Sequence, residues 1–312
     1  MFGFGKSWNP DGLHVYVTGG SAGLGLATAL ILVDKGAHVS IVARNQEKLD
    51  KAVEAMEKCR QYPNQLLAAY SFSLSDAAQS AAALEAVCQP HGGRAPDAVF
   101  ACAGSSKPMF FMDMTPQDMQ DGMTNGYWVQ AWTAMAAAKK MVREGSKGKI
   151  VFVSSLLGYM SFIGYASYTP AKHALRGLAD TLHSEFMLYD IDIHIFFPAT
   201  MLTPGYDEEN KTKPKIVLEI ESADDGLTAD VAAKAMIQGV QKGHTHITSD
   251  MITDLFRAST RGVTPRHNVF LDTLLDIAAS IIAPIWRMSV DKRVRAHRAE
   301  HQQYLRDSGF LS

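Results

Sequence analysis

The stretch VYVTGGSAGLGLATAL, Val15 to Leu30, starts as an apolar β-branched run, breaks at Gly19, and resumes as an apolar helix pattern after Gly25. Glycine lacks the Cβ that would keep a backbone away from a pyrophosphate. A helix N-terminus adds free N–H groups and positive potential. A glycine-rich turn alone is common in proteins. After the first strand of an α/β chain, and opening a helix, it marks a dinucleotide site. Gly19, Ser21, Gly23, Leu24 and Gly25 are its candidate residues.

The rest of the chain supplies that context. HVYVTG (14–19), HVSIVAR (38–44), LLAAYSF (66–72), DAVFACAG (97–104), KIVFVSS (149–155) and DIHIFFP (192–198) read as strands. Most are continuously apolar rather than alternating, as strands covered on both faces should be. Helical patterns separate them. In NQEKLDKAVEAMEK (45–58), Leu49, Val53 and Met56 share one face, with Glu47/Lys51 and Glu54/Lys58 spaced for pairing outside. Strand, helix, strand, repeated, predicts right-handed crossovers and an α/β Rossmann-type doubly wound parallel sheet with helices on both faces. After Pro198 the rhythm changes. TPGYDEENKTKPK (203–215) is polar and turn-rich and predicts an exposed loop. TADVAAKAMIQGVQKG (228–243) predicts a helix capped by Thr228, and HTHITS (244–249) a last strand. The expected division is a reductase domain over 1–255 and a C-terminal amphipathic helical extension over 256–312.

Composition sets outer bounds. A chain of 312 residues, 47% hydrophobic and 20% charged, can bury a large core. A formal net charge of −2 gives no global attraction to nucleic acid. Cys59, Cys88 and Cys102 are odd in number and lack a C-x-x-C pair, which fits small buried side chains in a reducing compartment. MFGFGKSWNP, residues 1–10, lacks the apolar run of a signal peptide. No run of about 20 apolar residues is free of charge, so no clean membrane span is expected. His244 and His246 stand two apart with no carboxylate pattern around them, and they read as strand residues rather than metal ligands.

The second strand ends in Ala43-Arg44, where an acidic residue would accept hydrogen bonds from a ribose 2′-hydroxyl and repel a 2′-phosphate. Arg44, 19 residues beyond Gly25, would instead pair with that phosphate, so NADPH is expected over NADH. Lys48 stands one helical turn further on, as a second phosphate cation or a solvated helix charge.

Tyr168 and Lys172, four apart, share a helix face, and Pro170 between them is tolerable only in a first helical turn. A lysine ammonium and a nicotinamide cation would both favour the phenolate, lowering the tyrosine pKa from its usual value of about 10. Ser155, thirteen residues upstream at the end of the fifth strand, can hydrogen-bond a substrate oxygen. Together, TGGSAGLG (18–25), Ser155 and YTPAK (168–172) resemble the short-chain dehydrogenase/reductase family over about residues 10–250. The resemblance implies Tyr168 as general acid, with Lys172 lowering its pKa and binding the nicotinamide ribose. It implies Ser155 on the substrate carbonyl and Asn125, in MTNGYW (123–128), holding a water in a proton relay. Thr203, in PATMLT (198–203), would contact the carboxamide, and Ala103, Gly104 and Pro198 would border the cofactor. The chain departs from the family pattern at Ala101 in ACAG, at Ser73 where an adenine-contacting Asp is usual, and at Ala199 after Pro198.

Within that family, TPGYDEENKTKP (203–214) followed by DVAAKAMIQGVQKG (230–243) resembles the 3-ketodihydrosphingosine reductases. That implies reduction of the C3 ketone of a long-chain keto-sphingoid substrate at the cytosolic side of the endoplasmic reticulum membrane. LLGYMSFIGY (156–165) and PMFFMDM (108–114) then read either as walls of an apolar trench for the chain, or as core or a subunit contact. In NVFLDTLLDIAASIIAPIWRM (268–288), Asp272, Asp276, Ala279 and Ala283 form one narrow helical stripe within an apolar circumference, and Pro284 should kink or end the helix. The basic RMSVDKRVRAHR (287–298) follows. This suits a helix lying on a membrane surface, or one packed on a partner subunit. Helices like 124–143 and 170–188 pair subunits in relatives, so a homo-oligomer, dimer or tetramer, is implied. A reductase of steroid or retinoid ketones and a non-catalytic NADPH-binding regulator are the rival readings.

Overall fold

The computed structural model describes residues 8–222 and 225–311; Met1–Ser7, part of the stretch read above for a leader, lies outside the described residues. Seven strands form one sheet, all paired in parallel: β1 (His14–Thr18), β2 (His38–Ala43), β3 (Leu67–Ser71), β4 (Ala98–Ala101), β5 (Gly148–Val153), β6 (Ile191–Phe197) and β9 (His246–Thr248), in the order β3-β2-β1-β4-β5-β6-β9. A separate two-residue pairing joins β7 (Met201–Leu202) to β8 (Leu227–Thr228). The strand order reverses between β1 and β4, and a doubly wound sheet opens its ligand crevice beyond the carboxyl ends at that reversal.

Alternate residues of each strand enter opposite cores, because successive side chains point to opposite faces. Val15, Val17, Val151 and Phe196 meet α1 (Gly23–Asp34), α2 (Gln46–Lys58) and α9 (Ala229–Gln241). Tyr16, Val99, Ile150 and Phe152 meet α3 (Ala77–Cys88), α5 (Val129–Glu144) and α6 (Thr169–Glu185). Every residue of β1 is buried, as its unbroken apolar pattern predicts. On α2, Leu49 and Met56 are buried and Val53 half-buried; Glu47 pairs with Lys51 at 2.6 Å, whereas Glu54 and Lys58 form no ion pair among the described residues. Cys88 is buried, and Cys59 and Cys102 are half-buried free thiols.

Two regions differ from expectation. The polar segment 203–215 is not a loop. It holds α7 (Pro204–Asn210), capped by the Thr203 hydroxyl on the Tyr206 amide, and leads into α8 (Lys215–Glu221). Two of its charges turn inward: Lys213 pairs with Glu209 at 3.1 Å and Glu221 at 2.6 Å, and the Tyr165 hydroxyl lies 2.8 Å from both carboxylates. Polar density reads as solvation only when the charges lack partners, and these have them.

The second is the C-terminus, where α10 (Met251–Ser259), α11 (Val269–Ala296) and α12 (Arg298–Asp307) form the extension. Pro284 sits inside α11, which runs on for twelve further residues to Ala296. The Asp272 stripe faces inward. Asp272 receives the Arg257 guanidinium through two hydrogen bonds of 2.7 and 3.2 Å, Asp276 lies 3.6 Å from Arg261, and Ala279 is buried. The outer arc of α11, including Phe270, Ile277, Ile281, Ile285 and Met288, is left exposed. α12 then folds back: Tyr304 donates to Asp113 at 2.7 Å, Glu300 meets Lys215 of α8 at 2.9 Å, and Phe110 lies 4.3 Å from the His301 ring.

Candidate active site

The glycine turn follows β1 at the strand-order reversal. Gly19 has a φ of +66°, and a Cβ there would lie 3.0 Å from the Ala103 backbone; one on Gly25 would lie 2.3 Å from the Gly19 carbonyl oxygen. Only glycine permits both, so the turn, the start of α1 and the end of β4 stack without side chains between them. The Thr18 hydroxyl accepts from the Ala103 amide at 3.1 Å, holding 102–104 beside the turn. Gly23 faces Thr203, whose methyl would lie 3.3 Å from a Cβ. The α1 N-cap is Ala22, which offers no side-chain cap, and the first turn carries no acid. Its amides are therefore left for an anion.

Around this turn the expected cofactor residues fall as follows. Ser21 is half-buried in the turn, whereas the Leu24 side chain points into the core and only its backbone faces the crevice. Pro198 closes β6, its carbonyl accepting from the Leu156 amide at 2.8 Å. Arg44 and Lys48 are exposed beyond β2 and, among the described residues, neither forms an ion pair. An unpaired guanidinium there is free to receive a phosphate. Ser73 is half-buried and bonded to Ser75 at 2.9 Å, so it presents a hydroxyl where an acid would stand.

The residues expected to react converge near the end of β5. Tyr168 is the N-cap residue of α6, and Pro170 occupies the first turn, where its missing N–H costs no hydrogen bond. One turn on, the buried Lys172 donates to the Val153 carbonyl at 2.9 Å, with its ammonium 5.3 Å from the Tyr168 ring centre. Ser155 is half-buried, its hydroxyl accepting from the Leu157 amide at 3.2 Å and lying in hydrogen-bonding position to Tyr168. Asn125 lies in a π-helical segment, Thr124–Trp128, between α4 (Pro116–Met123) and α5. Such a bulge opens the backbone hydrogen-bond ladder, and π-bulges recur at functional sites. A Cβ on Gly126 would lie 2.6 Å from Ala171, so a glycine allows this bulge to lie against α6. The Asn125 carbonyl and the Lys172 ammonium flank Gly104, 3.0 and 3.9 Å from where its Cβ would stand. All four residues thus border one crevice.

The electrostatics differ from the expected direction. The phenol of Tyr168 is held well above its ordinary range, first by the protein packed around it and then by the Glu209 carboxylate, with the Ser155 hydrogen bond acting the other way. Burial also pushes Lys172 down to about 7. Lys172 is only partly charged near neutrality and donates to Val153, so burial of the phenol outweighs its pull. The consequence suits an acid: the phenol is protonated at neutral pH, beside a lysine that can exchange a proton there.

Sequence reasoning missed Gln130. Its side-chain amide donates to the Val153 carbonyl at 2.8 Å and its oxygen accepts from the Val153 amide at 2.9 Å. The signal was a lone glutamine between Val129 and Ala131 on an apolar stretch of helix. Glu209 was passed over as a loop charge.

Residues 13–214 match the family model of the short chain dehydrogenases. The chain is 45% identical over 305 residues to the 3-ketodihydrosphingosine reductase TSC10 of Cryptococcus neoformans, covering 98% of this chain and 91% of that protein. It is 36% identical to the 3-ketodihydrosphingosine reductase ksrA of Aspergillus fumigatus, over 90% and 84% of the two chains. Among solved structures, a short chain dehydrogenase/reductase from Burkholderia phymatum in complex with NAD superposes with a TM-score of 0.71 at 17% identity, over 84% and 98% of the chains. One from Mycobacterium ulcerans gives 0.66 at 22%, over 75% and 84%.

The buried lysine generates a prediction about stability. Folded Lys172 loses its proton near 7, but the unfolded chain holds it to about 10.5. The cost of burying the charge is therefore fully present below about pH 7 and fades as pH rises toward the ordinary lysine value. Lys172→Met leaves the Val153 carbonyl bonded to Gln130. At about pH 6 the variant should be more stable than wild type by on the order of a few kcal/mol, and the gap should shrink toward about pH 10. Thermal unfolding across that range measures it; a gap independent of pH would show that Lys172 is not buried as a charge.

Proposed function

The chain belongs to the short-chain dehydrogenase/reductase family, and from that premise we propose that it reduces the C3 ketone of 3-ketodihydrosphingosine to dihydrosphingosine with NADPH. The observation that carries this reading is the reach of the match to proteins so named. It covers 98% of the chain, including α8, α9 and the C-terminal extension, where the general family match, ending at residue 214, does not go. Substrate choice belongs to those outer segments, whereas the β1–α1 turn and the Ser155–Lys172 group serve any ketone.

The cofactor fits the residues present. The uncapped α1 N-terminus would take the pyrophosphate, the 102–104 backbone and Thr203 border the crevice, and unpaired Arg44 would take a 2′-phosphate. When bound, NADPH supplies the hydride that becomes the new C3–H bond. The chain does the rest. Ser155 donates a hydrogen bond to the ketone oxygen and fixes its position. The protonated Tyr168 hydroxyl gives its proton to that oxygen as it gains charge, and Lys172 with the Asn125 carbonyl returns a proton through solvent.

We assign the chemistry to residues 1–255 and the approach to substrate to 256–312, on the cytosolic face of the endoplasmic reticulum membrane, in a dimer or tetramer. Support for membrane contact comes from α11, whose mean hydropathy reaches 1.7 and whose isoleucines Ile277, Ile281 and Ile285 are 58–62% exposed. Asp272 is turned onto Arg257 of α10 and Asp276 onto Arg261 just beyond it, so the helix is held against the domain in the manner of an interfacial helix, and Arg287, Lys292 and Arg293 follow for anionic headgroups.

Wild type in detergent should oxidise NADPH when given 3-ketodihydrosphingosine, and Tyr168→Phe should lose about 10²–10⁴ of kcat. Turnover confined to steroid or retinoid ketones would replace the substrate, and no turnover with any ketone would favour a regulator. Arg44→Glu should lower the NADPH-over-NADH preference in kcat/KM by at least about tenfold, since it exchanges a phosphate partner for a repelling charge. Replacing Ile277, Ile281 and Ile285 together by Ser should move the protein from the membrane pellet to the supernatant while leaving detergent activity within about twofold. Unchanged pelleting would assign that arc to a subunit contact.

A further inference from the structure

A cavity of about 390 Å³ lies between segment 161–163 and α11, away from the nucleotide turn. Phe162, Ile163, Val290 and Val294 give it apolar walls, and Ser161 and the Arg287–Asp291 pair, 2.9 Å apart, also line it. Arg287 also donates to the Ser161 carbonyl at 3.4 Å, which latches helix to loop there. A pocket of roughly 300–1,000 Å³ suffices for a small ligand. This one offers four apolar side chains to a flexible apolar body, beside one ion pair.

The cavity is joined to the reaction centre by continuous apolar contact. Tyr168, Phe162 and Ile163 pack on one cluster around Leu157, Tyr165, Ile216 and Val217. Within it the Tyr168 and Tyr165 rings lie 6.0 Å apart and the Tyr165 and Phe162 rings 5.3 Å apart.

We propose that this cavity is the subsite for the alkyl chain of the substrate: the chain leaves C3 at Tyr168, runs along Tyr165 and Phe162, and ends between Ile163 and Val294. The proposal rests on the long-chain substrate assigned above and adds where the chain lies. It makes α11 part of the binding site rather than an anchor alone. It also gives the stretch between Ser155 and Tyr168 a divided role. Tyr159 belongs to the core, bonded to His246 at 3.0 Å, while Phe162 and Ile163 face the chain.

The test compares 3-ketodihydrosphingosine with a butyl-tailed analogue carrying the same head. Both are presented to the full chain with NADPH at a fixed detergent fraction. Val294→Trp and Ile163→Trp, which fill the cavity, should raise KM for the long ketone about tenfold or more. Kinetics with the butyl ketone and KM for NADPH should stay within about twofold. Equal shifts for both ketones, or none, overturn the subsite while the long-chain activity of wild type stands. Wild type that reduces neither ketone overturns the assigned substrate and the subsite with it. Should the tryptophan variants misfold, Val294→Cys provides the readout. Dihydrosphingosine should protect position 294 from maleimide at least about fivefold, read by peptide mass spectrometry, and the butyl-tailed product should not. Equal labelling with both products overturns the proposal.

Discussion

The backbone of Val153 is where the reaction side of the molecule is tied together. It ends β5, and Gln130 of α5 grips both its amide and its carbonyl. Lys172 of α6 donates to the same carbonyl at 2.9 Å, and the Ser154 hydroxyl reaches back to the Lys172 carbonyl at 3.2 Å. Two helices and a strand end are thus held through buried hydrogen bonds at one residue. Each is worth little net, yet each is costly to leave unmade in a site this dry. Ser155, the next residue but one, and Tyr168, one turn before Lys172, inherit their positions from this clamp.

The clamp also shapes the acid–base chemistry. A lysine that satisfies a backbone carbonyl inside the protein is desolvated, and its pKa falls to about 7. A tyrosine beside it, packed against apolar rings and facing Glu209, keeps its proton. The pair is set as a donor with a rechargeable neighbour. The sequence-level expectation, a phenol depressed by a neighbouring ammonium, assumed a charged lysine close to the hydroxyl. The clamp weakens the first condition, because burial leaves the lysine only partly charged near neutrality. What survives is the spacing of Tyr168 and Lys172 on one helix face, since that depends only on helical geometry.

Much of the fold was legible because its signals are local. Continuous β-branched runs, the glycine turn and the alternation with helices demand a parallel, doubly wound sheet, and the strands lie within a few residues of their expected ends. Ser155, Tyr168 and Lys172 stand out by spacing, Asn125 follows from the family resemblance, and folding brings the four close together. Residues whose meaning depends on a distant partner were not legible. Lys213, Glu209 and Glu221 look like a solvated loop until Tyr165, more than forty residues earlier, gives them an inward partner. Gln130 is invisible for the same reason: its partner lies in another element. Phe110, read as trench wall or core, is covered by His301 and Tyr304 of α12, which no pattern near Phe110 announces.

The stripe of aspartates on α11 shows why partner identity matters more than amphipathic pattern. On a lone helix, the polar stripe is the side expected to face water, and the apolar arc the side expected to be buried. Here Arg257 is almost wholly buried and holds Asp272, so the polar stripe faces the protein and the arc faces out. A buried ion pair is weak evidence for added stability but strong evidence for a fixed orientation, because breaking it strands a charge. The pair therefore specifies which face of α11 is offered to the surroundings. The same rotation carries Val290 and Val294 toward Phe162 and Ile163. Outer arc and inner cavity are thus two consequences of one contact, and a helix that meets a membrane on one side would meet the substrate chain on the other.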